Sequence, residues 1–100
     1  MNINGQEYRV IDFKKEFTFE MLEIAIEFLQ SNKVDIVGIL AMSLWSEGEK
    51  EFSLESYQKR YSEFKKLPIS AIENVGEIIQ NFTVSLQNLT QKSFQTYSDG

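Results

Sequence analysis

The chain has no cysteine and no histidine. That removes disulfides, thiol nucleophiles, Cys/His zinc sites and imidazole acid–base chemistry together, and the missing cysteine suits a reducing compartment. Basic residues are in deficit: 10 Lys and Arg stand against 15 Asp and Glu, a formal net charge of -5. Phosphate neutralisation needs clustered Lys and Arg, so neither nucleic acid nor an anionic membrane surface is an expected partner. The N-terminal "MNINGQEYRV" lacks the basic-then-apolar pattern of an export signal. The apolar stretch "DIVGILAMSLW" (Asp35 to Trp45) falls far short of the roughly 20 residues a membrane-spanning helix needs. A cytoplasmic location is expected.

What is present reads as globular. Hydrophobic residues make up 42% and charged residues 25% of 100 positions, enough for one domain with a modest core over the whole chain. Asn4-Gly5, between Ile3 and the alternating Tyr8 and Val10, predicts a short β-hairpin within residues 1–12. Such a ribbon is barely stable alone, so it must pack on helices or pair with another chain.

Four helices are expected to follow, over residues 18–31, 35–46, 53–66 and 70–93, with 94–100 as a frayed tail. Thr18, Asp35 and Ser53 are placed as N-caps. "SAIE", Ser70 to Glu73, has the capping-box pattern that opens the last helix. Leu67-Pro68 stops the third. In that third helix Leu54, Tyr57, Tyr61 and Phe64 form one stripe, with Arg60 outside it. In the fourth, Ile72, Val75, Ile79, Phe82, Leu86 and Leu89 step 3, 4, 3, 4, 3 along a single seam. The fold class is therefore mainly α, a four-helix domain with a short N-terminal β-hairpin.

Little in the chain suggests catalysis. Glu20, Glu23 and Glu27 fall in one sector of the first helix and read as a solvated face. Glu47, Glu49 and Glu51 lie in an acidic turn that fails the EF-hand pattern. Ser43 has no base nearby, and its hydroxyl is expected to bond the preceding helical turn. Asn81-Phe-Thr83 and Asn88-Leu-Thr90 match the glycosylation pattern but sit in a predicted helix. No cofactor, metal or catalytic residue is assigned.

The first two helices pose the main question. The first carries an apolar arc of about 200°, where a surface helix needs about 100°, and the second is apolar all round. Either the second helix is fully enclosed, or the surplus meets another protein. Met21, Ile24 and Phe28 share a face of the first; Gly38, Ala41, Met42 and Trp45 cluster on one side of the second. Methionine adapts to varied partners and tryptophan is enriched at binding hot spots, so these seven are the candidate partner-binding residues. Ordinary core is the competing reading for each.

The layout as a whole resembles a known family. "INGQEYRV" leads into "DFKKEFTFEMLEIAIEFL", then "DIVGILAMSLW", a polar helix ending "KKLP", and the long "ISAIENVGEIIQNFTVSLQNL". This order is similar to that of the tail assembly chaperones of long-tailed (siphovirus-type) phages and prophages. The resemblance implies a non-enzymatic, self-associating helical protein. It would bind and solubilise the tape measure protein, help recruit tail tube subunits, and be absent from the mature virion. Two other readings stay open: a small acidic inhibitor acting by protein–protein binding, and a structural connector subunit whose hairpin extends a neighbour's sheet.

Overall fold

Two residues set the first turn. Asn4 and Gly5 take φ of 53° and 88°, the left-handed pair that a two-residue hairpin requires. They join β1 (Asn2–Ile3) to β2 (Gln6–Val10), with Ile3 opposite Gln6. The computed structural model describes residues 1–30 and 35–98, with the side chains at 29 and 90–98 excepted. The ribbon does find a partner within the chain. A third strand, β3 (Leu44–Ser46), pairs antiparallel with β2, Arg9 opposite Trp45, in the order β1-β2-β3.

That strand corrects the expected second helix. The helix over 35–46 ends early: α3 runs Ile36–Ser43, and Leu44 is extended at φ -110°, ψ 113°. Helical geometry would have spent Leu44 and Trp45 on neighbouring faces of one cylinder. As a strand they point to opposite sides of the sheet, and both are fully buried there. Asp35 caps α3 as expected, its side chain accepting from the Gly38 N–H at 3.0 Å.

The first and third expected helices are found as read. They are α2 (Phe19–Gln30) and α4 (Leu54–Lys65), with the Thr18 and Ser53 hydroxyls accepting from Met21 and Ser56. Residue 31, assigned to the first, lies outside the described residues. A short helix that the sequence did not announce, α1 (Phe13–Glu16), follows Asp12, which caps it through Lys14 N–H. Four residues are too few to show a period.

The last helix starts later and runs further than expected. The capping box of Ser70 and Glu73 is not formed. After Pro68 the chain makes one 3-10 turn, Ile69–Ala71, and then extends at Ile72 (φ -117°, ψ 115°). Extension lets Ile72 reach the core, where it is buried. Asn74 then takes φ 60°, a conformation its short polar side chain tolerates, and α5 runs Val75–Ser98. The expected frayed segment over 94–98 is helical, and residues 99–100 lie outside the described residues.

The fold is mainly helical with a small antiparallel sheet. α3 is its centre, packed on α4, α5 and β3. Tyr57 and Phe64 of α4, and Ile78, Phe82 and Leu86 of α5, join Met21 and Ala25 of α2 in one core. The seam of α5 is rotated from the one expected: Ile78 is buried while Val75 and Ile79 are half-buried and Leu89 is exposed. Leu54, placed in the stripe of α4, is also exposed. Phe13, Phe17 and Phe82 meet edge-on or tilted, with centroids 5.7 to 6.3 Å apart, tying α1 to α5.

Candidate functional site

The seven candidate residues do not form an outer surface, which corrects the partner-binding assignment. Met21, Ala41, Met42 and Trp45 have 0% exposure, and Gly38 is buried with them. Ile24 and Phe28 are half-buried against the same core. The physical reason is geometric. A short helix with apolar residues all round has no polar face to turn outward, and from Gly38 onward the chain surrounds it with α2, α4, α5 and the sheet; at its first turn Ile36 is 48% exposed and Val37 half-buried. The enclosed-helix reading is the one observed for residues 38–43, and Ile36 departs from it.

Small residues do allow close approach, but within the chain. A Cβ added at Gly38 would lie 2.7 Å from Cζ of Phe28 and 3.1 Å from Cγ of Asp35. Phe28 thus lies over the first turn of α3. On the other side Tyr61 donates its hydroxyl to Asp35 Oδ2 at 3.0 Å, which steadies the capping carboxylate. That bond pushes the Tyr61 hydroxyl's pKa up, and burial pushes Tyr57 up to about 12.

The other end of α3 is held by polar groups that the sequence reading had placed outside. Arg60, expected on the solvent face of α4, is 4% exposed. Its Nε donates to the Ala41 carbonyl at 2.9 Å, one of the acceptors left over at a helix end. Its Nη1 pairs with Glu49, so Glu49 is not part of an exposed acidic turn. Glu47, Gly48, Lys50 and Glu51 are exposed as expected. Trp45 Nε1 donates to the Met42 carbonyl at 3.1 Å, and the Arg9 guanidinium stacks 5.4 Å from its ring centroid. Arg9 also grips Glu16 in a two-pronged pair at 2.8 and 2.6 Å. That pair holds the Glu16 carboxyl down at about 2.

These charged groups fasten the segment after β3 to the sheet and to α4. They are joined to each other rather than turned toward a cleft. Ser43 Oγ, expected to bond the preceding turn, is buried without a hydrogen-bond partner among the described residues. Glu20, Glu23 and Glu27 are exposed, as a solvated face should be. Among the described residues no group of three or more acidic, His or Cys side chains is placed to hold a metal ion. Nor, among them, is any helix long and apolar enough to cross a membrane.

Apolar surface is left elsewhere. An open groove of about 290 Å³ runs between the β2–α1 corner and α5, lined by Val10, Ile11, Asp12, Phe13, Lys14, Asn81, Val84 and Ser85. Val10 and Val84 are 41% and 47% exposed. Sequence reasoning missed this site because Val10 was counted as a strand residue and Val84 lies off the main seam. Only the crossing of β2 and α5 brings them together. Phe19 and Ile69 are more exposed still, but neither lines a groove among those described. Comparison with protein-family models, with curated proteins and with solved structures finds no match to the chain.

Proposed function

We propose that the chain is a tail assembly chaperone of a long-tailed phage or prophage, a non-enzymatic protein that keeps the tape measure protein soluble and helps recruit tail tube subunits. The order of its elements resembles that family, and its helical content agrees with what the resemblance implies. The net charge of -5 would keep a complex with an apolar client in solution. This reading puts the protein in the host cytoplasm, as a homo-oligomer outside the finished virion.

The observation that carries the proposal is the groove beside α5. Val10, Ile11, Phe13 and Val84 give it an apolar floor and wall, suited to a helix that lays one apolar face into it. The contact surface is therefore moved from the buried α2–α3 residues to this groove. A tape measure fragment co-expressed with the chain should become soluble, and Val84→Asp should abolish the effect while the variant itself stays folded. Equal solubilisation by the variant would remove the groove from the account. No solubilisation by the unaltered chain would reject the proposed function. Insensitivity to salt separates this reading from an acidic inhibitor, whose binding should weaken steeply as salt rises.

A further inference from the structure

Asn4 precedes a glycine, whereas Asn2, Asn74, Asn81 and Asn88 precede Ile3, Val75, Phe82 and Leu89. A side chain on the following residue crowds that residue's backbone nitrogen, and glycine has none. Both residues of the Asn4-Gly5 turn are exposed. A Cβ built at Gly5 would meet nothing within 4 Å, so the space around the glycine is open to the Asn4 side chain. Among the described residues no hydrogen bond restrains the Asn4 carboxamide. The Gly5 N–H donates to Asn2 Oδ1 at 3.1 Å, an exposed contact that water can replace at little cost.

We propose that Asn4 is a site of spontaneous modification in the folded protein, converted by water to aspartate and isoaspartate, and that the isoaspartyl product releases β1. In the first step the Gly5 nitrogen bonds to Asn4 Cγ, and the bond from Cγ to the carboxamide nitrogen breaks. The Gly5 proton leaves with that nitrogen as ammonia, and a succinimide ring remains. Water then opens the ring at either carbonyl. Attack at Cγ restores the ordinary backbone with an aspartate side chain. Attack at the backbone carbonyl leaves the chain running through Cβ and Cγ, as isoaspartate.

The two products have the same mass and the same added negative charge, but only isoaspartate lengthens the backbone, by one carbon. The two-residue turn depends on φ of 53° and 88° at Asn4 and Gly5 and sets Ile3 opposite Gln6. An extra backbone carbon between those partners upsets that register. Ile3, 2% exposed and part of the core, is then drawn from its place. The inference does not rest on the function proposed above.

The test is incubation of the full folded chain in mildly alkaline buffer, read by mass spectrometry of its peptides, with isoaspartate scored by enzymatic methyl esterification. The N-terminal peptide should gain the mass of an amide-to-acid exchange, while peptides carrying Asn74 and Asn81 keep theirs. Asn4→Gly, which fits the same turn, should show no gain; a gain there would place the reaction at Asn2 and overturn the proposal. The folded rate should exceed the rate in urea multiplied by the unfolded fraction. A folded rate equal to that product would assign the reaction to the unfolded chain and overturn the site, as would an Asn4 that stays intact. Once separated by chromatography, the isoaspartyl protein should melt several degrees below Asn4→Asp, which carries the same charge on an ordinary backbone. Equal melting temperatures would overturn the release of β1.

Discussion

α3 and α5 divide the apolar side chains of this protein in opposite ways. α3 is short and apolar on every side; it packs mainly on α4, α5 and β3, with Phe28 of α2 over Gly38, and leaves only its first turn open, where Ile36 is exposed. α5 is three times as long and amphipathic, buries Ile78, Phe82 and Leu86, and leaves Val84 and Leu89 exposed. Past its first turn, the oilier helix is thus the less available to a partner. Apolar content tells how much must be covered. Where the cover comes from depends on whether the helix has a second, polar face to turn outward.

The sharpest way to break this contrast is to cut into the centre. Trp45→Ala removes the largest fully buried side chain, and its loss should cost about 3–5 kcal/mol, read by chemical denaturation. A cost near zero would mean that the indole is not packed as described. Gly38→Ala tests the contact at the start of α3. The new methyl meets both Phe28 and the capping Asp35, so a loss of about 1–3 kcal/mol is expected, as for other overpacked sites. Because the ring's far edge can move, this loss should stay below that of Trp45→Ala.

Titration separates the buried centre from its polar fastening. Tyr57 has a folded pKa raised from 10.0 to about 12, so its burial contributes fully below pH 10. That contribution is lost as pH rises toward about 12, because the unfolded tyrosine ionises first. Glu16 behaves in the opposite sense. Its folded pKa is lowered from 4.5 to about 2, so the Arg9 pair contributes above pH 4.5 and is lost as pH falls toward 2. Thermal melts across both windows should show a decline at each end. Tyr57→Phe should flatten the alkaline limb, and Glu16→Gln the acid one. The smallest effect belongs to α5. Val84→Asp should change stability by less than about 0.5 kcal/mol, as surface substitutions do. A large loss would show Val84 to be core.

Much of this architecture was legible in the sequence, for local reasons. Asn4-Gly5 determines its own turn, and Thr18, Asp35 and Ser53 each satisfy a helix start with their own side chains. The errors arose where tertiary contacts overrode a local signal. Leu44 to Ser46 continues an apolar run that reads equally as helix or strand, and only pairing with β2 decides it. Ser70 and Glu73 make a plausible capping box, but Ile72 gains more by extending into the core. Arg60 is spaced for solvent on α4, yet the carbonyl end of α3 and Glu49 both lie beside it. Of the candidate site, the sequence showed that the first two helices were over-supplied with apolar residues. It could not show that the same chain would cover them.

The most direct measurement uses the chain's single tryptophan, Trp45, which sits in β3 just past the end of α3 with no exposure. Its emission and its quenching by acrylamide should be followed as the purified protein is diluted to a monomer. If the subunit covers its own centre, emission stays blue and quenching stays weak at every concentration. A red shift with rising quenching on dilution would show that the cover comes from other copies, and would contradict the enclosed α3.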